Sequence, residues 1–354
     1  MSGTQLPRFK SLSILNRPES KGAEIQLRLF CFAHAGGSPV VFNTRFAKCF
    51  PPSVQVIGIT LPGRGSRFDE KPMEDVKLIV SSILDEISSL FVLPLFKPYI
   101  VYGHSFGACC ALEMVRQLRR RGLTQPMRLF CSGRNPPQLG VIDPPVCHLP
   151  EDELQQQMLK RYDSPIITDE ELKKLAIPPL RADLVALDAY LPDPYTESDP
   201  PLSVPLKVLV GEHDRMVPFD RLELWKVHTT STFQRSKIEG VGHFFYENER
   251  FQQWLKRELE DALDEIDDKG ELITRPHPEV IGGSPKEMEL SSSSASSTSS
   301  SSSSSSHTTH PTNRFHAAPK RMGLRSISSS PSSTSPKETK KKPAEEMEEA
   351  FDLC

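Results

Sequence analysis

Tyr99-Ile100-Val101-Tyr102-Gly103-His104-Ser105-Phe106-Gly107 is the stretch on which the fold of this chain turns. Four apolar, β-prone residues run into G-x-S-x-G. Ala108, Ala111, Leu112, Val115 and Leu118 then recur at helical spacing. The helix is expected to stop where Arg119, Arg120 and Arg121 meet Gly122, since basic side chains suit a helix C-terminus and glycine suits the residue after it. A serine held at so sharp a strand-to-helix turn adopts a strained backbone conformation. Its flanking residues must be small, as Gly103 and Gly107 are. Such a turn leaves the serine Oγ free above the sheet and aims a helix N-terminus at developing negative charge. The five-residue pattern alone arises by chance in about one chain in ten. The strand before it and the helix after it make Ser105 a candidate nucleophile rather than a plain Gly-Ser-Gly turn.

Working outward, short apolar runs at Leu27–Phe32, Val54–Thr60, Met127–Cys131, Leu206–Val210 and Phe233–Ile238 read as further strands. Helices fall between them. One begins near Met73 and carries Val76, Ile79, Val80, Ile83, Leu84, Ile87 and Leu90 on one face, and the last runs from about Asn248 to Ile266. This alternation predicts a mostly parallel sheet flanked by helices. Residues 134–203 exceed any ordinary connection. They hold helix-like pieces at Glu151–Arg161, Asp169–Leu175 and Arg181–Tyr190 with prolines between, and are expected to form an inserted helical lid. In it Leu154, Met158, Leu172, Leu175, Leu184 and Leu187 are candidate lid-core or acyl-lining positions. Residues 1–25 read as a polar leader, 26–267 as the folded domain and 268–354 as a disordered tail. Its Ser291–Ser306 tract, broken only by Ala295 and Thr298, lacks the apolar surface needed to offset ordering entropy.

A serine hydroxyl needs a base, and elbow enzymes of the α/β-hydrolase fold place their triad in the order Ser, acid, His. His243 follows the final strand in Gly240-Val241-Gly242-His243-Phe244, with His213 and His228 less well placed. The acid is expected after Leu206–Val210, where Asp214 leads over Glu212 and Asp220. It would hold the His243 tautomer and stabilise the imidazolium. Acyl transfer also needs an oxyanion hole. The N–H of Phe106 supplies one donor, and the glycine-rich loop Ala33-His34-Ala35-Gly36-Gly37-Ser38 the other, from Ala35 or alternatively Gly36. Leu61-Pro62-Gly63-Arg64-Gly65-Ser66-Arg67 puts two arginines near the same edge, able to meet a phosphate or to lock the loop internally.

The formal net charge of −3 gives no electrostatic footprint for nucleic acid. No run reaches the roughly 18 uncharged apolar residues of a membrane helix. The seven cysteines are scattered without paired CxxC spacing and read as reduced, mostly core residues rather than metal ligands. With no apolar signal core at Met1–Lys10, a cytoplasmic location is expected. Neither a metal nor an organic cofactor is called for.

Leu29-Phe30-Cys31-Phe32-Ala33-His34-Ala35-Gly36-Gly37-Ser38, Leu61-Pro62-Gly63-Arg64-Gly65 and Gly103-His104-Ser105-Phe106-Gly107 together resemble type II thioesterases, the stand-alone partners of fatty-acid, polyketide and nonribosomal-peptide synthases. Pro179-Leu180-Arg181-Ala182-Asp183 and Gly242-His243-Phe244-Phe245 are similar to the same family. The resemblance covers about Gln26–Ile266. Ala33 stands where the family often has proline, and the tail lies outside the pattern. It implies cleavage of acyl thioesters from the phosphopantetheine arm of an acyl carrier protein or carrier domain, by a protein expected to be monomeric. Carriers are acidic around that arm, which points to a basic docking patch. Arg64 and Arg67 are the first residues to test, and Arg119–Arg121 a weaker choice. Two rivals are a carboxylesterase or lipase on this fold and a non-catalytic binding protein acting through the tail.

Overall fold

A computed structural model describes residues 7–18, 22–42 and 44–269. The expected tail, apart from the end of its preceding helix, and the first six residues lie outside the described residues. A seven-stranded sheet forms the centre: β1 (Leu12–Ile14), β2 (Leu27–Phe32), β3 (Val54–Ile59), β4 (Tyr99–His104), β5 (Arg128–Ser132), β6 (Leu206–Gly211) and β7 (Phe233–Ile238), in the order β1-β3-β2-β4-β5-β6-β7. All neighbours are parallel except β1, which lies antiparallel on β3 with Leu12 opposite Ile59. The sequence reading expects six strands, and β1 is the addition. Its three residues are too few to show a period. Ser11 anchors its start through hydrogen bonds to Glu86 Oε2, the hydroxyl donating at 2.5 Å.

Side chains alternate across the sheet as a strand period of two requires. In β2, Leu27, Leu29 and Cys31 face the core beneath α1 (Thr44–Lys48) and α6 (Glu249–Lys269), while Phe30 and Phe32 face the core beneath α2 (Val76–Ile87) and α3 (Phe106–Arg120). The central strands are therefore covered on both faces, while the edge strand β7 keeps Gln234 and Lys237 exposed. The chain reverses its direction of travel through the sheet between β2 and β4. Ligands bind outside the carboxyl ends of strands at such a point.

The lid contains two helices, α4 (Glu151–Tyr162) and α5 (Glu170–Ala189). The prolines predict separate pieces at Asp169–Leu175 and Arg181–Tyr190, but Pro178 and Pro179 both lie inside one continuous helix. Each proline forfeits one backbone bond, a loss offset by nine buried residues along the helix. Asp169 caps its start, accepting from the N–H groups of Glu171 and Leu172. Among the described residues no helix is long and apolar enough to cross a membrane.

Candidate active site

The elbow is built by steric necessity. Ser105 sits at φ 55°, ψ −115°, a conformation uncommon outside glycine. A Cβ on Gly103 would stand 2.1 Å from the Gly107 carbonyl oxygen, and one on Gly107 would stand 2.3 Å from that of Phe32. Only glycine fits at either position. The Ser105 N–H donates to the Ser132 carbonyl on β5 at 2.7 Å, which holds the turn to the sheet.

Ser105 Oγ lies 3.1 Å from His243 Nε2, and His243 Nδ1 lies 2.7 Å from Asp214 Oδ2. Asp214 and His243 side chains are 0% and 3% exposed. The other Asp214 oxygen accepts from the N–H groups of Met216 and Val217, so the carboxylate is held at both ends. The loops carrying these two residues touch: a Cβ on Gly211 would meet the Gly242 oxygen at 1.9 Å, and the His213 N–H donates to Val241. The competing residues are occupied elsewhere. Glu212 accepts from the Gly240 N–H, Asp220 is exposed and pairs with Arg235, and His228 is buried between Tyr195 and Gln138. His213 is exposed, its neighbour Asp214 being the residue that turns inward.

The two expected oxyanion donors separate in the same way. Gly36 N–H donates to Asp183 Oδ2 on α5 at 2.8 Å, while Ala35, with His34 beside it, lines the Ser105 cavity. Phe106 opens α3, where the first N–H groups have no helical acceptor and the helix dipole is positive. Asp183 also receives both terminal nitrogens of Arg64, at 2.6 and 2.7 Å, and Arg64 donates a further bond to the Gly37 carbonyl. Arg64 and Asp183 are each 1% exposed.

This corrects the docking expectation. Arg64 is locked under the lid, and Arg67 is buried against Glu70, Ser11 and Thr60. Arg119 and Arg120 pair with Asp199, and Arg121 pairs with Asp85. Arg64 and Arg67 are thus internal to the fold, whereas Arg120 and Arg121 are exposed despite their ion pairs.

Two further residues escaped the sequence reading. Tyr162, closing α4, packs its ring 4.6 Å from that of His243. His104, inside the elbow motif, is fully buried with Nδ1 2.7 Å from Ser132 Oγ. Burial first, then the neighbouring His243 and His34, push His104 well below the usual histidine range, so it stays neutral. For Asp183 the sequence offered two signals, its place in the Pro179–Asp183 motif and a carboxylate amid the apolar stripe Leu180, Leu184 and Leu187.

Above Ser105 the cavity measures about 10 Å³, and Met158, Leu184 and Leu187 close it. Leu154 is lid core, Leu172 packs beside Ile167 and Ala176, and Leu175 is half-buried. Among the described residues no group of three or more His, Cys, Asp or Glu is arranged to hold a metal.

Residues 27–261 match the thioesterase domain family. The chain is 31% identical over 225 residues to the gramicidin S biosynthesis protein GrsT of Aneurinibacillus migulanus, covering 63% of this chain and 84% of that one. It is 26% identical over 231 residues to the medium-chain S-acyl fatty acid synthase thioesterase of Rattus norvegicus, covering 63% and 84%. Among solved structures it resembles the type II thioesterase BorB from the borrelidin biosynthetic cluster, at a TM-score of 0.62 and 25% identity over 73% of this chain and 100% of that one.

Proposed function

Because the chain belongs to the thioesterase family, we propose that it hydrolyses acyl thioesters through a Ser105–His243–Asp214 triad. The observation that carries this reading is the hydrogen-bonded line Ser105–His243–Asp214 beneath the lid. Ser105 Oγ attacks the thioester carbonyl as His243 Nε2 takes its proton. The oxyanion that forms accepts from the N–H groups of Phe106 and Ala35. Collapse breaks the carbon–sulfur bond, and His243 returns the proton to the departing thiolate. A thiol leaves readily because its pKa is near about 8.5, so the general acid has little to do. His243 then takes a proton from water, which attacks the acyl-enzyme and frees the carboxylic acid and Ser105. These steps use no metal and no organic cofactor.

The substrate in this reading is an acyl group on the pantetheine arm of a carrier protein or carrier domain, fatty-acyl or synthase-derived, met by a monomeric enzyme in the cytoplasm. The relatives support it, two of them carrying biosynthesis or fatty acid synthase in their names. The test is a panel of acyl thioesters of graded length, on carrier protein and on CoA, beside matched oxygen esters. Carrier-bound thioesters are expected to give the highest kcat/KM, and Ser105→Ala to lower kcat by roughly 10⁶ and end labelling by a fluorophosphonate. Faster cleavage of the oxygen esters would make the protein a carboxylesterase, and full activity in Ser105→Ala would remove the assigned nucleophile.

A further inference from the structure

Beside the Ser105 cavity lies a second one of about 40 Å³. Tyr162, Leu184 and Leu187 line both, so these three side chains form the partition between them. The two chambers differ in chemistry. The first is walled largely by apolar and aromatic groups, whereas the second presents Arg134, Arg161, Asp143 and Asp188. We propose that this second chamber is an acyl subsite in which Arg134 and Asp188 grip a hydroxyl group borne by the substrate chain, a proposal that rests on the thioester-hydrolase reading of Ser105.

Arg134 stands two residues beyond Ser132, whose carbonyl holds the elbow, so it leaves the sheet at the same edge as the nucleophile. Its guanidinium reaches the Cys109 thiol, but its Nε is buried without a hydrogen-bond partner among the described residues. Buried donors in native proteins are nearly always paired, and an exception calls for an explanation. The other polar groups nearby are spent on structure: the Asn135 amide donates to Met216 and its oxygen accepts from Arg221, while Arg161 donates to the Pro144 carbonyl. Asp188 is half-buried. Burial raises its carboxyl above the usual range, and the Arg134 charge and a hydrogen bond from the Cys147 thiol pull it back; this places Arg134 and Asp188 in the same electrostatic neighbourhood and leaves further carboxylate lone pairs to accept.

The pair selects among ligand chemistries. An alkyl chain satisfies neither residue. A carboxylate accepts from Arg134, with Arg161 also in the chamber, but leaves the Asp188 carboxylate without a donor and adds a third negative charge beside Asp143 and Asp188. A hydroxyl accepts from the Arg134 N–H and donates to the Asp188 carboxylate at once. A volume of about 40 Å³ exceeds the roughly 10–15 Å³ that one water needs. It admits a hydroxyl-bearing carbon or two, not a long tail.

The test uses N-acetylcysteamine thioesters in matched pairs: butanoyl with 3-hydroxybutanoyl, and hexanoyl with 5-hydroxyhexanoyl. Wild-type protein is expected to favour the hydroxylated member of at least one pair by about tenfold or more in kcat/KM, the scale of a hydrogen bond to a charged group. Arg134→Met should bring that ratio to about one, and Arg134→Lys should restore part of it. Equal rates within both pairs, or a preference untouched in Arg134→Met, would overturn the subsite while leaving thioester hydrolysis intact. Failure to cleave any of the four thioesters would instead bring down the hydrolase reading and the subsite with it. Since Arg134→Met can disturb the end of β5, the same preference is also measured as a ratio of dissociation constants in Ser105→Ala protein. Equal binding of paired thioesters there overturns the proposal without reference to any Arg134 variant.

Discussion

Ser105 shows how far single residues were legible. G-x-S-x-G between a strand and a helix is a steric statement, and the clash distances at Gly103 and Gly107 are the physical content of that motif. His243 was legible from chain order, because a glycine-rich loop after the final strand has few places to go. The sequence favours Asp214 over Glu212, and two residues apart on one loop Asp214 turns inward to His243 while Glu212 turns out to Gly240. A direct expectation follows. Asp214→Asn should fold normally and lose about 10⁴ in kcat by favouring the wrong His243 tautomer, whereas Glu212→Gln should stay within a few-fold of wild type. Steady-state kinetics on both variants decides it, and the reverse pattern would reassign the acid.

At the scale of elements, long periodic segments were readable and the lid was not. α3 ends within a residue of its predicted stop, because basic side chains followed by glycine are a local signal. For α5 the sequence predicts two pieces because proline is a local signal against a helix, while the burial that overrides it is long-range. The Arg64–Asp183 contact is longer-range still, joining the loop after β3 to the lid and, through Gly36 and Gly37, to the loop after β2. Breaking a buried ion pair strands a charge, at a cost of about 3–5 kcal/mol. Asp183→Asn and Arg64→Met should each lower stability on that scale in urea unfolding, and Asp183→Asn should also lower kcat as the Ala35–Gly36 loop loses its anchor. The double variant, having no stranded charge, should be more stable than the sum of the single losses predicts. Strict additivity would show that the two side chains do not act as a unit.

For the whole molecule, the mostly parallel sheet with helices on both faces followed from strand and helix alternation, while the strand order and the edge strand β1 came from the structure, since three residues in a polar leader carry too little pattern. The pH response belongs to this scale. Burial first, and the Arg116 charge second, hold His228 down to about 3. In the unfolded chain it binds a proton near about 6.5. Between those values the unfolded state carries the extra proton, so the stabilisation is complete above about pH 6.5 and is lost as pH falls toward 3. His104 acts in the same sense. Burial opposes the ionised form of Asp199, but hydrogen bonds from Arg120, Arg116 and Arg119 outweigh it and hold the carboxyl at about 2, adding a second acid-side loss below about pH 4. Melting temperature should therefore fall progressively below pH 6.5, and His228→Gln should flatten the upper part of that fall. A variant curve parallel to wild type would assign the upper loss to another group. The Asp183 tether has a mechanical consequence as well. α5 buries nine residues and is clamped to the loop that carries Ala35, whereas α4 buries three and rests its last ring on His243. The two lid helices are therefore anchored unequally: α5 is bolted through Asp183 to the loop that carries Ala35, and α4 is held by fewer buried side chains.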